Sequence, residues 1–294
     1  MTPSCTASGP EQAPTCAEND DWDIRILRRV GPIANLVRPM TTPGPTRRVA
    51  LVDTETTSTD TRTAEVIDIA VAILQVDDDG EIVGVDSTVQ ALRDPGMPIP
   101  EDVVKLTGIT DAMVAGRSVS TARWEARLGD VDLIFAHNSA YDAPVVERLL
   151  PGLGGAAWAC SMREVPWNDL GFDGAKLGHL LLQAGFFNDH AHRAAADVVS
   201  LAHMLAWRMP DGRPAMAALL DSAARSSVRI DATGAPYAAK DALKERRYRW
   251  DPVARTWWTE VAEADVEQER CWLEAHAECR APAMTVMTAR TRYR

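Results

Sequence analysis

The chain has 294 residues, of which 46% are hydrophobic and 25% charged, with a formal net charge of −11. That length allows one large or two modest domains, and the composition is that of an ordinary globular protein. The acidic balance excludes a protein that coats duplex nucleic acid through bulk positive charge, but not an enzyme that grips a few nucleotides through metal ions.

Met1 to Asp20 is rich in Pro, Ser, Thr, Gly and Glu, and residues 1–45 are expected to form a largely disordered tail. The first residues lack the basic and apolar blocks of a signal peptide, and no apolar run approaches the length that spans a bilayer. The cysteines (Cys5, Cys16, Cys160, Cys271, Cys279) are widely spaced with no CxxC pair. They suggest neither a zinc knuckle nor a disulfide framework, and a reducing cytoplasm is the expected compartment. Asp23 to Val30 reads as a short helix or strand before the breakers Gly31-Pro32 and Pro43-Gly44-Pro45.

The core is expected to begin near Thr46. The apolar run Val49 to Val52 ends in Asp53-Thr54-Glu55, and strand alternation places Asp53 and Glu55 on one side. Alone, this is equally well an edge strand with two solvated acids. Glu65 to Val76 and Glu81 to Val89 form a hairpin across Asp77 to Gly80. A helical patch at Glu101 to Leu106 ends in Thr107-Gly108-Ile109-Thr110, where Thr110 can cap the next helix, and Ser120 to Leu128 is helical. Val131 to Ala136 is a buried strand, a helix follows, and Ala156 to Cys160 is a further strand. Lys176 to Ala184 and Ala194 to Trp207 are helices by apolar spacing. Strands first, then strands alternating with helices, predict an α/β sheet of mixed direction over 46–210.

Beyond Pro210, residues 211–234 are expected to act mainly as a linker, with helix at Pro214 to Ala224 and a short strand at Val228 to Asp231. Residues 235–294 are expected to form a small basic and aromatic α+β module. Ala235 to Glu260 holds six Lys/Arg against four Asp/Glu, interleaved with Tyr237, Tyr248, Trp250, Trp257 and Trp258. Such a stretch suits stacking on unpaired bases, and equally suits a small domain that packs its aromatics as core. Val261 to Cys279 reads as an amphipathic helix, and the last dozen residues as frayed.

Three segments carry chemistry. Asp53 and Glu55 are the first. In the second, Ala136-His137-Asn138-Ser139-Ala140-Tyr141-Asp142, Asp142 falls in the first turn of a helix, where an acid is most often a cap. In the third, His190-Ala191-His192-Arg193-Ala194-Ala195-Ala196-Asp197, Asp197 sits among apolar helix residues, a costly place for an unpartnered charge. Four carboxylates can share a pocket only if cations neutralise them, and all-oxygen ligation suits Mg²⁺ or Mn²⁺. Two such ions about 3.5–4 Å apart support phosphodiester displacement. His192 is then suited to take the proton from the attacking water. His137, His179, His190, His203 and His276 are read as structural.

The order Asp-x-Glu, His-Asn-x-x-x-Asp, His-Arg-Ala-x-x-Asp resembles the DEDD exonucleases of the histidine subtype, the group that includes the proofreading epsilon subunit of bacterial DNA polymerase III. Thr107-Gly108-Ile109-Thr110 is similar to a segment common in epsilon-like members. The resemblance, spanning roughly Arg47 to Trp207, implies a ribonuclease H-like mixed sheet flanked by helices and 3′-to-5′ release of nucleoside monophosphates. It implies that Asp53, Glu55, Asp142 and Asp197 hold two Mg²⁺ or Mn²⁺ ions, that His192 is the general base, and that Thr54, Thr56, Thr57 and Asn138 contact substrate. Ser58 departs from the pattern, standing where many members have Gly. In the C-terminal stretch, Arg247 stands where the related module has a Gly before Tyr-Arg-Trp. The expected partners are 3′ ends of single-stranded DNA, with short RNA as the alternative and a polymerase or repair protein as a further partner. A non-catalytic nucleic-acid-binding scaffold is the rival from another class.

Overall fold

The computed structural model describes residues 25–294. The calls on Met1 to Asp20, Cys5 and Cys16 lie outside those residues. The larger sheet has five strands, β2 (Thr46–Thr56), β3 (Val66–Asp77), β4 (Ile82–Leu92), β5 (Leu133–Ala136) and β6 (Trp158–Cys160), in the order β4-β3-β2-β5-β6. β3 runs antiparallel to β2 and β4, whereas β5 and β6 run parallel to β2. This is the mixed sheet of a ribonuclease H-like fold. The strand that carries Asp53 and Glu55 is therefore central, not an edge. Its Val49 to Val52 run is wholly buried because both faces are covered by helices.

Around the sheet lie α1 (Glu101–Thr107), α2 (Asp111–Val114), α3 (Thr121–Leu128), α4 (Ser139–Leu149), α5 (Ser161–Glu164), α6 (Leu177–Gln183), α7 (Ala194–Leu205) and α8 (Ala215–Ala224). Val49 and Leu51 join one core with Val198 and Leu201 of α7, while Ala50 and Val52 join another with Val145 and Val146 of α4. Alternation along β2 thus sends Asp53 and Glu55 towards the α7 layer and Thr54 towards the α4 layer.

Two tight places explain their residues. Gly108 ends α1 with φ +70°, where a side chain would be strained, and the next residue, Ile109, plugs a small core with Ile67, Ile99 and Val114. Thr110 stands at the start of α2, but its side chain makes no capping bond. At Gly80, φ is +84° and an added Cβ would lie 2.6 Å from the backbone of Ala217, so the β3–β4 turn needs glycine.

Several expectations change. Part of the expected disordered tail is tied down: β1 (Arg28–Arg29) pairs in parallel with β7 (Phe186–Phe187), and Ile33, in a 3-10 turn, is buried in the larger core. Residues 211–234 are not a linker. The apolar face of α8 packs into the larger core, and β8 (Ser227–Asp231) is an inner strand of a second sheet. That sheet, with β9 (Arg249–Asp251), β10 (Thr256–Ala262) and β11 (Ala283–Met287), has the order β11-β8-β10-β9 and packs on α9 (Lys240–Glu245) and α10 (Val266–Ala277).

The expected helix from Val261 starts later, because Val261 and Ala262 belong to β10. The last dozen residues are not frayed. After β11, Tyr293 is buried, Arg292 pairs with Glu164 and Glu260, and Arg294 pairs with Glu147. Of the aromatics in the basic stretch, Tyr248 is buried and donates to Glu269, whereas Tyr237 and Trp250 are exposed.

Candidate active site

The acids from β2 and α7 meet. Asp53, Glu55 and Asp197 each offer a carboxylate oxygen within 4.8 Å of the other two. No side-chain or backbone donor among the described residues reaches the carboxylate of Asp53 or of Glu55. Burial first, then the charges of Asp142, Asp197 and Glu55, hold Asp53 well above the usual carboxylate range. Glu55 is pushed up to about 8 by burial and by Asp197, Asp68 and Asp142, with Arg193 opposing. Arg193 compensates this gathering of negative charge only in part, and an all-carboxylate set with no His or Cys among it fits a hard divalent cation.

Asp142 stands outside the trio but within its field. It lies in the first turn of α4, and Oδ1 accepts 2.9 Å from Oγ1 of the buried Thr54. Burial raises it to about 7, with the Thr54 bond opposing.

His192 lies in the loop before α7, at φ +64°. Its backbone N–H donates to Oδ2 of Asp197 at 2.9 Å, and its side chain is exposed. Burial raises the Asp197 carboxyl, and the His192 backbone N–H and the nearby imidazole oppose that rise.

The four expected substrate contacts divide. Thr54 spends its hydroxyl on Asp142, Thr56 on the Ser58 carbonyl and Tyr141, and Thr57 accepts from the Glu65 N–H at 3.0 Å. These hydroxyls build the wall of the site. Asn138, half-buried at the start of α4, makes no side-chain capping bond and keeps its amide free of protein partners among the described residues. Tyr141 donates to the Ser58 carbonyl at 2.5 Å, pinning the loop after β2. Ser58 itself does not occupy the left-handed region, so this loop requires no glycine there.

His137 is structural. It is held down to about 4 by burial, and its ring nitrogens lie 2.7 Å from Ser161 Oγ and 2.6 Å from the Ala175 carbonyl. A neutral ring satisfies both, with Nε2–H donating to the carbonyl and Nδ1 accepting from the hydroxyl. His203 is likewise spent on the Gly31 carbonyl at 2.9 Å.

One site residue escaped the sequence reading. Asp68 on β3 sits opposite Glu55 in register and is wholly buried. It accepts from Gln90 Nε2 at 2.9 and 2.7 Å and from Arg193 Nε at 3.3 Å. The signal was present: a single acid inside the apolar run of Val66 to Val76 needs a partner, as Asp197 does on its helix.

Residues 51–152 match the family model RNase_T, described as an exonuclease. The matched segment holds Asp53, Glu55 and Asp142, and ends before His192 and Asp197. No curated protein matches the chain by sequence. Among solved structures, the zinc-bound form of Escherichia coli exonuclease I with single-stranded DNA is similar, with TM-score 0.50 and 14% identity, over 83% of this chain and 64% of that one. A second exonuclease I structure, described as suggesting how processivity is achieved, gives TM-score 0.50 and 15% identity over 83% of this chain and 63% of that one. Exonuclease X in complex with 5′-overhanging duplex DNA gives TM-score 0.42 and 21% identity over 57% of this chain and 99% of that one. The likeness to exonuclease I is one of fold, and the chain spans less than two-thirds of that protein's length.

Proposed function

We propose that the chain, whose residues 51–152 match an exonuclease family model, is a metal-dependent 3′-to-5′ exonuclease that removes nucleoside monophosphates from single-stranded DNA ends. The observation that carries this reading is the meeting of Asp53, Glu55 and Asp197, from a central strand and a distant helix, whose mutual repulsion and burial Arg193 and His192 only partly offset.

Asp53, Glu55 and Asp197 would hold Mg²⁺ or Mn²⁺, with Asp142 completing the acidic set. Bound there, two such ions supply an activated water and neutralise the charge that builds on the phosphodiester. The chain's own residues do the rest. His192, exposed on its loop beside Asp197, takes the proton from the attacking water on a ring nitrogen. The water oxygen bonds to phosphorus as the bond to the 3′ oxygen of the penultimate nucleotide breaks, releasing a 5′ monophosphate. Thr54 orients Asp142, Arg193 fixes the start of α7, and Asn138 is the amide left free to meet the terminal nucleotide.

The test is digestion of end-labelled single strands, DNA and matched RNA side by side, in Mg²⁺ or Mn²⁺ and in EDTA. Mononucleotide release from the 3′ end that stops in EDTA and is lost in Asp53→Ala and Asp197→Ala is expected. Full activity in either variant refutes the reading, and a preference for RNA moves the substrate class.

A further inference from the structure

The second sheet has two unlike faces. Val228, Ile230, Trp257 and Val261 face α9 and α10 and form a small core. Cross-strand register places the alternate residues, Arg229, Trp258 and Arg249 among them, on the opposite face. There the Arg229 guanidinium lies 4.5 Å and that of Arg249 5.5 Å from the Trp258 ring centre. This face forms one wall of a cleft of about 530 Å³ whose other wall comes from the larger domain, at the ends of α5 and α8. Seven arginines and only two glutamates line the cleft, in a chain whose formal net charge is −11.

Three of those arginines are spent. Arg292 pairs with Glu164 and Glu260, Arg229 with Asp231 and Asp251, and Arg294 with Glu147. The other four are not: Arg163, Arg225, Arg247 and Arg249 are exposed and have no carboxylate partner among the described residues. Arg247 is held at φ +69°, a backbone region that favours glycine. A solvated rim of arginines on an acidic protein would be expected to find carboxylates nearby. Here four arginines without a carboxylate partner among the described residues, contributed by both domains, line one concavity beside a tryptophan that has two arginines over its ring.

We propose that this cleft is a second nucleic-acid site, a track for the phosphodiester backbone of a single strand, separate from the acidic cluster, none of whose residues line it. The proposal deepens the exonuclease reading: it assigns the part of the strand on the 5′ side of the terminal nucleotide to the junction between the domains. A guanidinium offers forked donors to phosphate oxygens, and arginine–tryptophan stacks accept bases without sequence preference. The acidic cluster needs metal to tolerate a phosphate, whereas the cleft holds its positive charge without metal.

That difference sets the experiment. A fluorescently labelled twenty-nucleotide oligothymidylate is titrated with full-length protein in EDTA, where turnover does not contribute, over a range of salt. Wild type is compared with Arg225→Gln/Arg247→Gly/Arg249→Gln and with a control of equal charge loss, Lys105→Gln/Arg123→Gln/Arg280→Gln. The expected result is that the cleft variant alone loses affinity, about tenfold or more at moderate salt, and that its slope of log affinity against log salt falls by about two, at about 0.7 per phosphate contact for single strands. Wild-type affinity and slope in the cleft variant, equal losses in the control, or no binding by wild type overturns the proposal. Should the triple variant not fold, Arg247→Gly alone decides: relief of the left-handed backbone is expected to hold or raise its melting temperature while affinity falls, and unchanged affinity refutes the track. Failure of the catalytic reading is separately visible, as absence of cleavage by wild type in Mg²⁺ or Mn²⁺.

Discussion

Arg193 Nε lies 3.3 Å from Oδ2 of Asp68, joining the residue before α7 to the strand beside β2. The pair lies just behind the acids, and the Arg193 charge also lowers Glu55. Replacing Asp68 with Asn keeps the shape but removes the charge that holds Arg193. The α7 start, and with it Asp197 and His192, then loses its anchor. Activity is expected to fall about 10- to 100-fold, the usual effect of losing a partner behind metal ligands, with the apparent affinity for Mn²⁺ weakened in parallel. Metal titration of activity in Asp68→Asn checks this; a lowered rate at unchanged metal affinity would contradict it.

Thr54 and Asp142 make the corresponding link on the other side of the sheet. Thr54→Val preserves volume and removes the only side-chain donor to that carboxylate among the described residues. Without the bond that opposes its burial, the Asp142 carboxyl is expected to rise above about 7. The acidic limb, along which activity develops as pH rises, should then move to higher pH, with little change in melting temperature when metal is present. A pH–rate profile of the variant beside wild type reads the shift.

Without metal, the cluster makes the fold weaker at high pH. Glu55 rises from 4.5 to about 8 in the folded chain, so between those values the folded state keeps a proton that the unfolded state has released. Stability from this group is therefore present below about pH 4.5 and lost as pH climbs towards 8, at up to about 1.4 kcal/mol per pH unit. Asp53 and Asp142 act in the same direction. In EDTA the melting temperature is expected to fall from pH 6 to pH 8, and Mg²⁺ at pH 8 should restore it. Asp53→Asn should melt roughly 2–4 °C higher than wild type in EDTA at pH 8, yet release no nucleotide in Mg²⁺. Calorimetry with and without metal tests both halves.

Tyr293 is buried in the core beneath α4, and its hydroxyl donates to Glu164 Oε1 at 2.7 Å. Tyr293→Ala is expected to cost roughly 2–4 kcal/mol, from lost packing and one lost hydrogen bond. Tyr293→Phe should cost about 1 kcal/mol. Chemical denaturation of the two variants separates packing from hydrogen bonding.

Strand alternation was enough to place Asp53 and Glu55 on one side, and the cost of a lone acid on an apolar helical face was enough to single out Asp197. The same cost applies to Asp68, but the hydrophobic run around it reads as a satisfactory strand on its own. The central position of β2 was not legible from β2, since it depends on β5 and β6 pairing from far along the chain. Residues 283–294 gave no warning either: Arg292 and Arg294 are fixed by Glu164, Glu260 and Glu147, and such distant ionic partners leave no local periodicity. The positive φ at Arg247 was foreshadowed by the glycine that usually stands there, although its backbone alone does not say which way the side chain turns.

β6, the outermost strand of the larger sheet, is screened by the closing stretch of polypeptide. Trp158 N–H donates to the Ala289 carbonyl, and the guanidiniums of Arg290 and Arg294 donate to the carbonyls of Gly155 and Ala156. Bare strand margins invite pairing with other copies. A protease that cuts at the exposed Arg280-Ala281 step would free this cover to leave, so material clipped there should clump with rising concentration while intact material stays dispersed.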